Sequence, residues 1–299
     1  QGCTSVTWTG VYFILGFASS TTFGTGAYYS SDGINWAICT YSSATSFFGL
    51  AWSNAQPNSG IQNVNVAIQQ PTLAFGSGTN AIAYSYDGIN WRGLGTGAFG
   101  TSGTCYCGCW NGKLWVAGGQ NGSGASVMVY SYDGINWTTI SQSVISVLVY
   151  GIAWNGTVFV AVGGGTSAIA YSYDGINWNT PPNLSLGFTT AYSVAWGTNY
   201  FVVGSGGVGT TNNMAYSTDG ISWTAYTLVT ATTYTIRSLI CGQSLWVLGG
   251  IASGASISFW ATIPIAGVNW TAGTGVPTNT SATIFTLSYG IYPLSSAAV

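Results

Sequence analysis

SYDGINW, at residues 85–91, recurs so closely along this chain that its reading decides the fold. The same box reads SSDGINW at 30–36, SYDGINW at 131–137 and again at 172–178, and STDGISW at 217–223. PIAGVNW at 264–270 is a degenerate sixth copy without the serine and the aspartate. The terminal tryptophans are Trp36, Trp91, Trp137, Trp178, Trp223 and Trp270, spaced 55, 46, 41, 45 and 47 residues apart. A period of about 40–50 residues suits a four-stranded unit that stacks against copies of itself. The box also has a physical reading. The carboxylates of Asp32, Asp87, Asp133, Asp174 and Asp219 can accept bonds from backbone N–H groups two residues on. Serine adds a second local bond. Glycine supplies a positive φ at no steric cost. Tryptophan then turns back between units and buries a large ring.

Working outward, a second motif lies between the boxes. It reads TSVTWTGVYFILG (4–16), YCGCWNGKLWVAGG (106–119), YGIAWNGTVFVAVGG (150–164), YSVAWGTNYFVVGSG (192–206) and RSLICGQSLWVLGG (237–250). Each is two short β-rich runs around a tight turn, and Asn-Gly in two of the turns is a strong hairpin signal. A third run, as in AIAYSYDG (168–175), leads into the box, and a short strand follows it. Helical periodicity is absent. The chain therefore reads as all-β: a six-bladed β-propeller of four-stranded antiparallel blades over residues 1–273. Stacking such units in a ring hides apolar faces that no unit can hide alone and leaves no long open edge.

Residues 274–299 read as a C-terminal extension. SYGIYPL (288–294) echoes TWTGVYFIL (7–15), so a seventh repeat begins there, and a seven-bladed ring is the alternative. The extra strand is expected either to close the ring or to pair with a neighbouring subunit's sheet edge. In the second unit, FFGLAW (47–52) and TLAFGSG (72–78) are separated by SNAQPNSGIQNVNVAIQQP (53–71). An insertion of this length is a candidate for specificity.

At the boxes the sequence resembles the Asp-box, or BNR-like, repeats of sialidase-type β-propellers, whose usual pattern is Ser-x-Asp-x-Gly-x-x-Trp. This chain writes Ser-x-Asp-Gly-x-x-Trp, one residue shorter between Asp and Gly. The resemblance covers nearly the whole chain. It implies boxes on outer-rim turns with a structural role, and it says little about activity.

Composition speaks to activity directly. Only 3% of residues are charged, with no histidine, against about 25% charged in ordinary soluble domains. There is no glutamate, the five aspartates all sit in boxes, and the basic residues are Arg92, Lys113 and Arg237. A sialidase-like site needs an arginine cluster, an acid and a Tyr/Glu pair, and other glycosidases need two free carboxylates. Nucleophilic triads need histidine, and metal hydrolysis needs histidine or carboxylate ligands. The expectation is no catalytic residue, no metal and no cofactor. Three scattered cations also argue against nucleic acid. No apolar run approaches the roughly 20 residues of a spanning helix.

Thirteen of the fourteen tryptophans fall at repeat positions and read as core. Five of them, Trp8, Trp52, Trp110, Trp154 and Trp196, occupy one first-strand position, and Trp115 and Trp246 share the position of Phe159. Trp260 reads as off-pattern. With its neighbour Phe259 it is the aromatic candidate for a binding surface, and Arg92, Lys113 and Arg237 are the charged candidates. Sequons at Asn121, Asn136, Asn155, Asn183, Asn269 and Asn279 are candidate N-glycosylation sites. Cys3, Cys39, Cys105, Cys107, Cys109 and Cys241 are candidate disulfide partners, with the pairing left open. Cys105, Cys107 and Cys109 alternate on a strand and are expected on one face.

A surface of Ser, Thr, Asn, Gly and Tyr is poorly soluble as a free monomer. Tight assembly or a glycan coat relieves that. The expected function is a non-catalytic extracellular structural or adhesion protein: a virion-surface, spike or cell-surface appendage subunit. Its expected partners are other protein subunits in a larger assembly or host-surface glycans, held through propeller loops. The alternative is a secreted glycan-binding, lectin-like propeller.

Overall fold

The computed structural model describes residues 3–9, 11–17, 27–40, 45–51, 70–141, 144–182, 184–206, 212–228, 234–242, 245–252, 255–262 and 270–272. The insertion up to residue 69, the start of the sixth box and the C-terminal extension lie outside these residues. So do Trp52, Asn183, Asn269 and Asn279.

Among the described residues, twenty-three strands follow the repeat. The first unit holds β1 (Cys3–Trp8), β2 (Phe13–Phe17), β3 (Ala27–Ser30) and β4 (Ala37–Ile38); the second holds β5 (Thr45–Ala51), β6 (Thr72–Gly78), β7 (Ile82–Ser85) and β8 (Arg92–Gly93). The third holds β9 (Thr104–Trp110), β10 (Trp115–Gln120), β11 (Ser126–Ser131) and β12 (Thr138–Thr139), after a single turn of 3-10 helix at Gly97–Phe99. The fourth holds β13 (Leu148–Trp154), β14 (Phe159–Gly164) and β15 (Ile169–Ser172), with an isolated Tyr171–Asn179 bridge where its last strand would lie. The fifth holds β16 (Ala191–Gly197), β17 (Tyr200–Ser205), β18 (Met214–Ser217) and β19 (Thr224–Tyr226). The sixth holds β20 (Tyr234–Gly242), β21 (Leu245–Ala252), β22 (Ala255–Ala261) and β23 (Thr271–Ala272).

Within each unit the strands pair antiparallel in chain order. The second and third units are joined into one sheet by a Ser77–Thr104 bridge. The first strands β1, β5, β9, β13, β16 and β20 all reach one central cavity. This is the meander-around-a-channel arrangement that the repeat predicts.

The core lies between units. Val158, Val160 and Val162 of the fourth unit pack with Phe201, Val203 and Ala215 of the fifth. Leu114, Val116 and Met128 of the third pack with Phe159, Ala161 and Trp178 of the fourth. The same holds across the other consecutive pairs from first to sixth. The second strands β6, β10, β14 and β17 are therefore buried on both faces, which explains their unbroken apolar runs and their glycines, whereas β2 and β21 alternate buried with half-buried residues.

Candidate functional site

The box closes as its chemistry requires. In the second unit, Ser85 Oγ donates to Asp87 Oδ1 (2.9 Å), and Gly88 N donates to Ser85 Oγ (2.8 Å). Ile89 N and Asn90 N donate to Asp87 Oδ1 at 2.8 and 2.7 Å, and Asn90 Nδ2 donates to Oδ2 at 2.7 Å. Trp91 Nε1 then donates back to Gly88 O (3.0 Å), with Gly88 at φ +74°. Asp32, Asp133 and Asp174 repeat the pattern, and Asp219 repeats it with Ser222 in place of the asparagine. Burial opposes ionisation of Asp87, Asp133 and Asp174, but the bonds from the residues two and three positions on and from the serine outweigh it and hold each at about 2. Asp219 is lowered against the same opposition. Asp32 is lowered chiefly by the Asn35 backbone bond. Every carboxylate side chain in the chain is thus committed to its own turn.

The box also docks units together. An added methyl at Gly175 would meet Val116 and Leu114 of the preceding unit at 2.8 and 2.9 Å, and one at Gly220 would meet Val160 and Val158 at 2.9 and 3.1 Å. Gly33, in the first box, faces only Phe13 of its own unit. The tryptophans follow suit: Trp178 is 3% exposed and Trp36 is 36% exposed.

The channel mouth is where the units converge. Its cavity, about 450 Å³, is lined from every first strand and includes Ser5, Leu50, Tyr106, Tyr150, Tyr192 and Arg237. The register of each first strand slips at one residue: Thr4, Phe48, Tyr106, Tyr150, Tyr192 and Arg237 in turn. Such a bulge leaves one residue outside the ladder and re-aims its side chain. Three bulge tyrosines and the bulge arginine make a continuous row. Tyr106 and Tyr150 have ring centroids 5.8 Å apart, Tyr150 and Tyr192 4.9 Å apart, and the Arg237 guanidinium lies 4.4 Å from the Tyr192 centroid. Burial raises the pKa of Tyr150, helped by its tyrosine neighbours, and burial raises that of Tyr106. Both therefore stay protonated donors at neutral pH. Arg237 Nε is buried with no acceptor among the described residues.

The other candidates are dispersed. Arg92 is exposed on β8, and Lys113 is exposed in its hairpin turn, where its N–H donates to Asn111 Oδ1 (2.9 Å). Only Arg237 reaches the channel. The tyrosine row was missed from sequence, although its signal is present: each member stands four residues before the first-strand Trp, or before Cys241 in the sixth unit. Trp260 is not off-pattern. It pairs with Val247 as Tyr171 pairs with Val160, so it fills the third-strand tyrosine position. It is 42% exposed, while Phe259 on the opposite sheet face is half-buried. A rim cleft of about 430 Å³ between the third and fourth units is lined by Lys113, Trp154, Tyr132 and Tyr173.

Five cysteines are free thiols: Cys39, Cys105, Cys107, Cys109 and Cys241. The side chain of Cys3 lies outside the description. The bulge at Tyr106 breaks the alternation, so the three close cysteines do not share one face. Cys105 joins the core between the second and third units, and Cys107 and Cys109 join the next one. Burial pushes the Cys39 and Cys109 thiols up to about 12 and raises those of Cys105 and Cys107 well above the ordinary thiol value. No metal-binding cluster of His, Cys, Asp or Glu occurs among the described residues. Of the sequons, Asn136 spends its Nδ2 on Asp133 (2.7 Å), while Asn121 and Asn155 use their Oδ1 to close turns.

No helix among the described residues is long and apolar enough to cross a membrane. No family model and no curated protein sequence matches the chain. Solved structures match in fold. A chain of a nidogen–laminin complex covers 75% of this chain, and 80% of its own length, at 11% identity and a TM-score of 0.50. YCF48 bound to a D1 peptide covers 91%, and 82% of its own length, at 11% identity and a TM-score of 0.59. The fold these likenesses show is an all-β propeller built from antiparallel sheets.

Proposed function

We propose that this chain is a non-catalytic binding propeller, an extracellular structural or adhesion subunit that holds other protein subunits or a host surface. The observation that carries the reading is the commitment of all five carboxylates to box turns. A channel of tyrosines, serines and one arginine lacks the acid–base pair that hydrolysis needs near neutral pH. Two solved structures of like fold are complexes by their own descriptions, one a nidogen–laminin complex and one YCF48 bound to a D1 peptide, which fits a scaffold used for holding partners. The near-uncharged surface favours life inside an assembly such as a virion surface, spike or appendage. Six blades are favoured over seven because the first strands of six units line one cavity. The box is read as a shortened Asp-box.

Sedimentation velocity across a hundredfold concentration range tests the assembly reading. Concentration-dependent oligomers are expected, and a monomer throughout overturns it. Incubation with aryl glycosides and esters tests the non-catalytic reading, with no turnover above buffer expected. A second reading, a glycan-binding propeller, rests on the rim cleft of Trp154, Tyr132, Tyr173 and Lys113, since aromatic faces and polar groups in a shallow cleft suit sugar rings. Glycan-array binding lost on Tyr132→Ala would favour this reading, while binding lost only on Trp260→Ala would move the surface to the sixth unit.

A further inference from the structure

We infer that the channel mouth is a binding site for a single carboxylate carried on a flat or apolar body, with Arg237 as its anchor and the tyrosine row as its platform. Three independent features converge there. The first is geometric. A bulge at the same register on every first strand puts one residue per unit outside the ladder, and in four consecutive units that residue is Tyr106, Tyr150, Tyr192 or Arg237. Packing of a β-unit does not require a bulge, and bulges concentrate where a side chain must be re-aimed toward a site.

The second is an unmet bond. Arg237 stacks its guanidinium on Tyr192 at 4.4 Å, which engages the face of the cation but leaves its Nε–H to find an in-plane acceptor. Its Nε–H is buried and finds no acceptor among the described residues. A buried charged donor left unpaired costs more than an ordinary lost hydrogen bond. No aspartate relieves it, because each closes its own turn. The third is space. The cavity of about 450 Å³ beside these side chains has the size of a small-molecule pocket.

The chemistry narrows the class. A guanidinium and a carboxylate match as a fork, two parallel N–H···O bonds. One cation balances one negative charge, whereas a phosphate dianion or a sulfated chain asks for several. Ser193 and Ser238 stand beside the bulge residues as neutral polar groups, and the protonated tyrosines offer hydroxyl donors and ring faces. A neutral ligand could accept from the guanidinium but would leave its charge unbalanced, and a cation would be repelled. The carboxylate can belong to a peptide or to a sugar acid; the chemistry is shared.

Ligand-observed fluorine NMR with 4-fluorobenzoate on the full chain tests this, with 4-fluorobenzamide as the neutral isostere and inorganic phosphate as competitor. Binding of the benzoate, at least tenfold weaker binding of the amide, and little competition by phosphate are expected. Arg237→Gln should weaken the benzoate at least tenfold, and Arg237→Lys, which keeps the charge but loses the fork, should fall between. Thermal melting checks that the variants fold. If Arg237→Gln does not fold, the lysine variant and the amide control still decide. Equal binding of acid and amide, equal binding by wild type and variant, or no benzoate binding overturns the site. Competition by N-acetylphenylalanine against glucuronate then tells a peptide source from a sugar acid, and either supports the assignment. A propeller that holds its partner by rim loops alone would keep that partner in Arg237→Gln, so failure here leaves the adhesive reading standing.

Discussion

At the scale of the residue, the box aspartate and glycine do separate work. The aspartate is a hub whose two oxygens accept a serine hydroxyl, two backbone N–H groups and an asparagine amide. Replacing Asp174 by alanine leaves those donors to water, and a loss of about 2 kcal/mol is expected from denaturant titration, in the range for bonds to charged groups. The pH dependence follows by sign. Folded pKa values near 2, against about 3.9 in an unfolded chain, mean that the folded state binds fewer protons. The stabilisation is complete above about pH 4 and drains away as pH falls toward 2. With no glutamate and no histidine, urea midpoints should be level from pH 5 to 7 and drop below 4. A level midpoint down to pH 2.5 would refute the hub. Gly175, at φ +76° with Val116 and Leu114 crowding its missing methyl, accepts a side chain only with backbone strain and a shift of its neighbours. Gly175→Ala should cost about 1–3 kcal/mol by strain and overpacking, read in the same titration.

At the scale of the element, equivalent residues acquire different worth from what docks on them. Trp178 lies under the third unit's apolar strand, so Trp178→Ala should cost about 3–5 kcal/mol. Trp36 occupies the same box position but is a third exposed, and Trp36→Ala should cost less than about 1 kcal/mol. Comparing the two denaturation midpoints checks this, and equal costs would contradict the docking account. The box sequences alone could not separate these tryptophans, since SSDGINW and SYDGINW promise the same turn. The cysteine strand teaches the same lesson. Alternation over CYCGC places three thiols on one face only if the strand is regular, and the Tyr106 bulge divides them between two cores. With burial raising Cys105, Cys107 and Cys109, these thiols should resist Ellman's reagent at pH 8 in the native protein and react at once in guanidinium.

At the scale of the whole molecule, the ring economises on chemistry. The feature that builds the fold spends every acidic side chain on turns. One of the three cations is brought to the centre, and Arg92 and Lys113 stay outside. On the proposed non-catalytic reading, function is left to surfaces: the channel mouth, the rim cleft and the exposed Trp260. Gln70, at the end of the long insertion, shows how a loop is tied into the ring, because it accepts from Trp115 Nε1 and donates to Tyr132 O.

The sequence by itself determined the repeat, the all-β units and the bonding of the box. These depend on contacts within a few residues, and such contacts are written as local spacing. Only the tertiary structure decided which tryptophans are covered, where each first strand bulges, and that Tyr106, Tyr150, Tyr192 and Arg237 stand in one row. A period of two is read from composition only until a single extra residue shifts its phase. The four-residue spacing to the first-strand Trp or Cys241 marks the position in the sequence, but that the residue there leaves the ladder and joins its neighbours in a row depends on units meeting around a common axis.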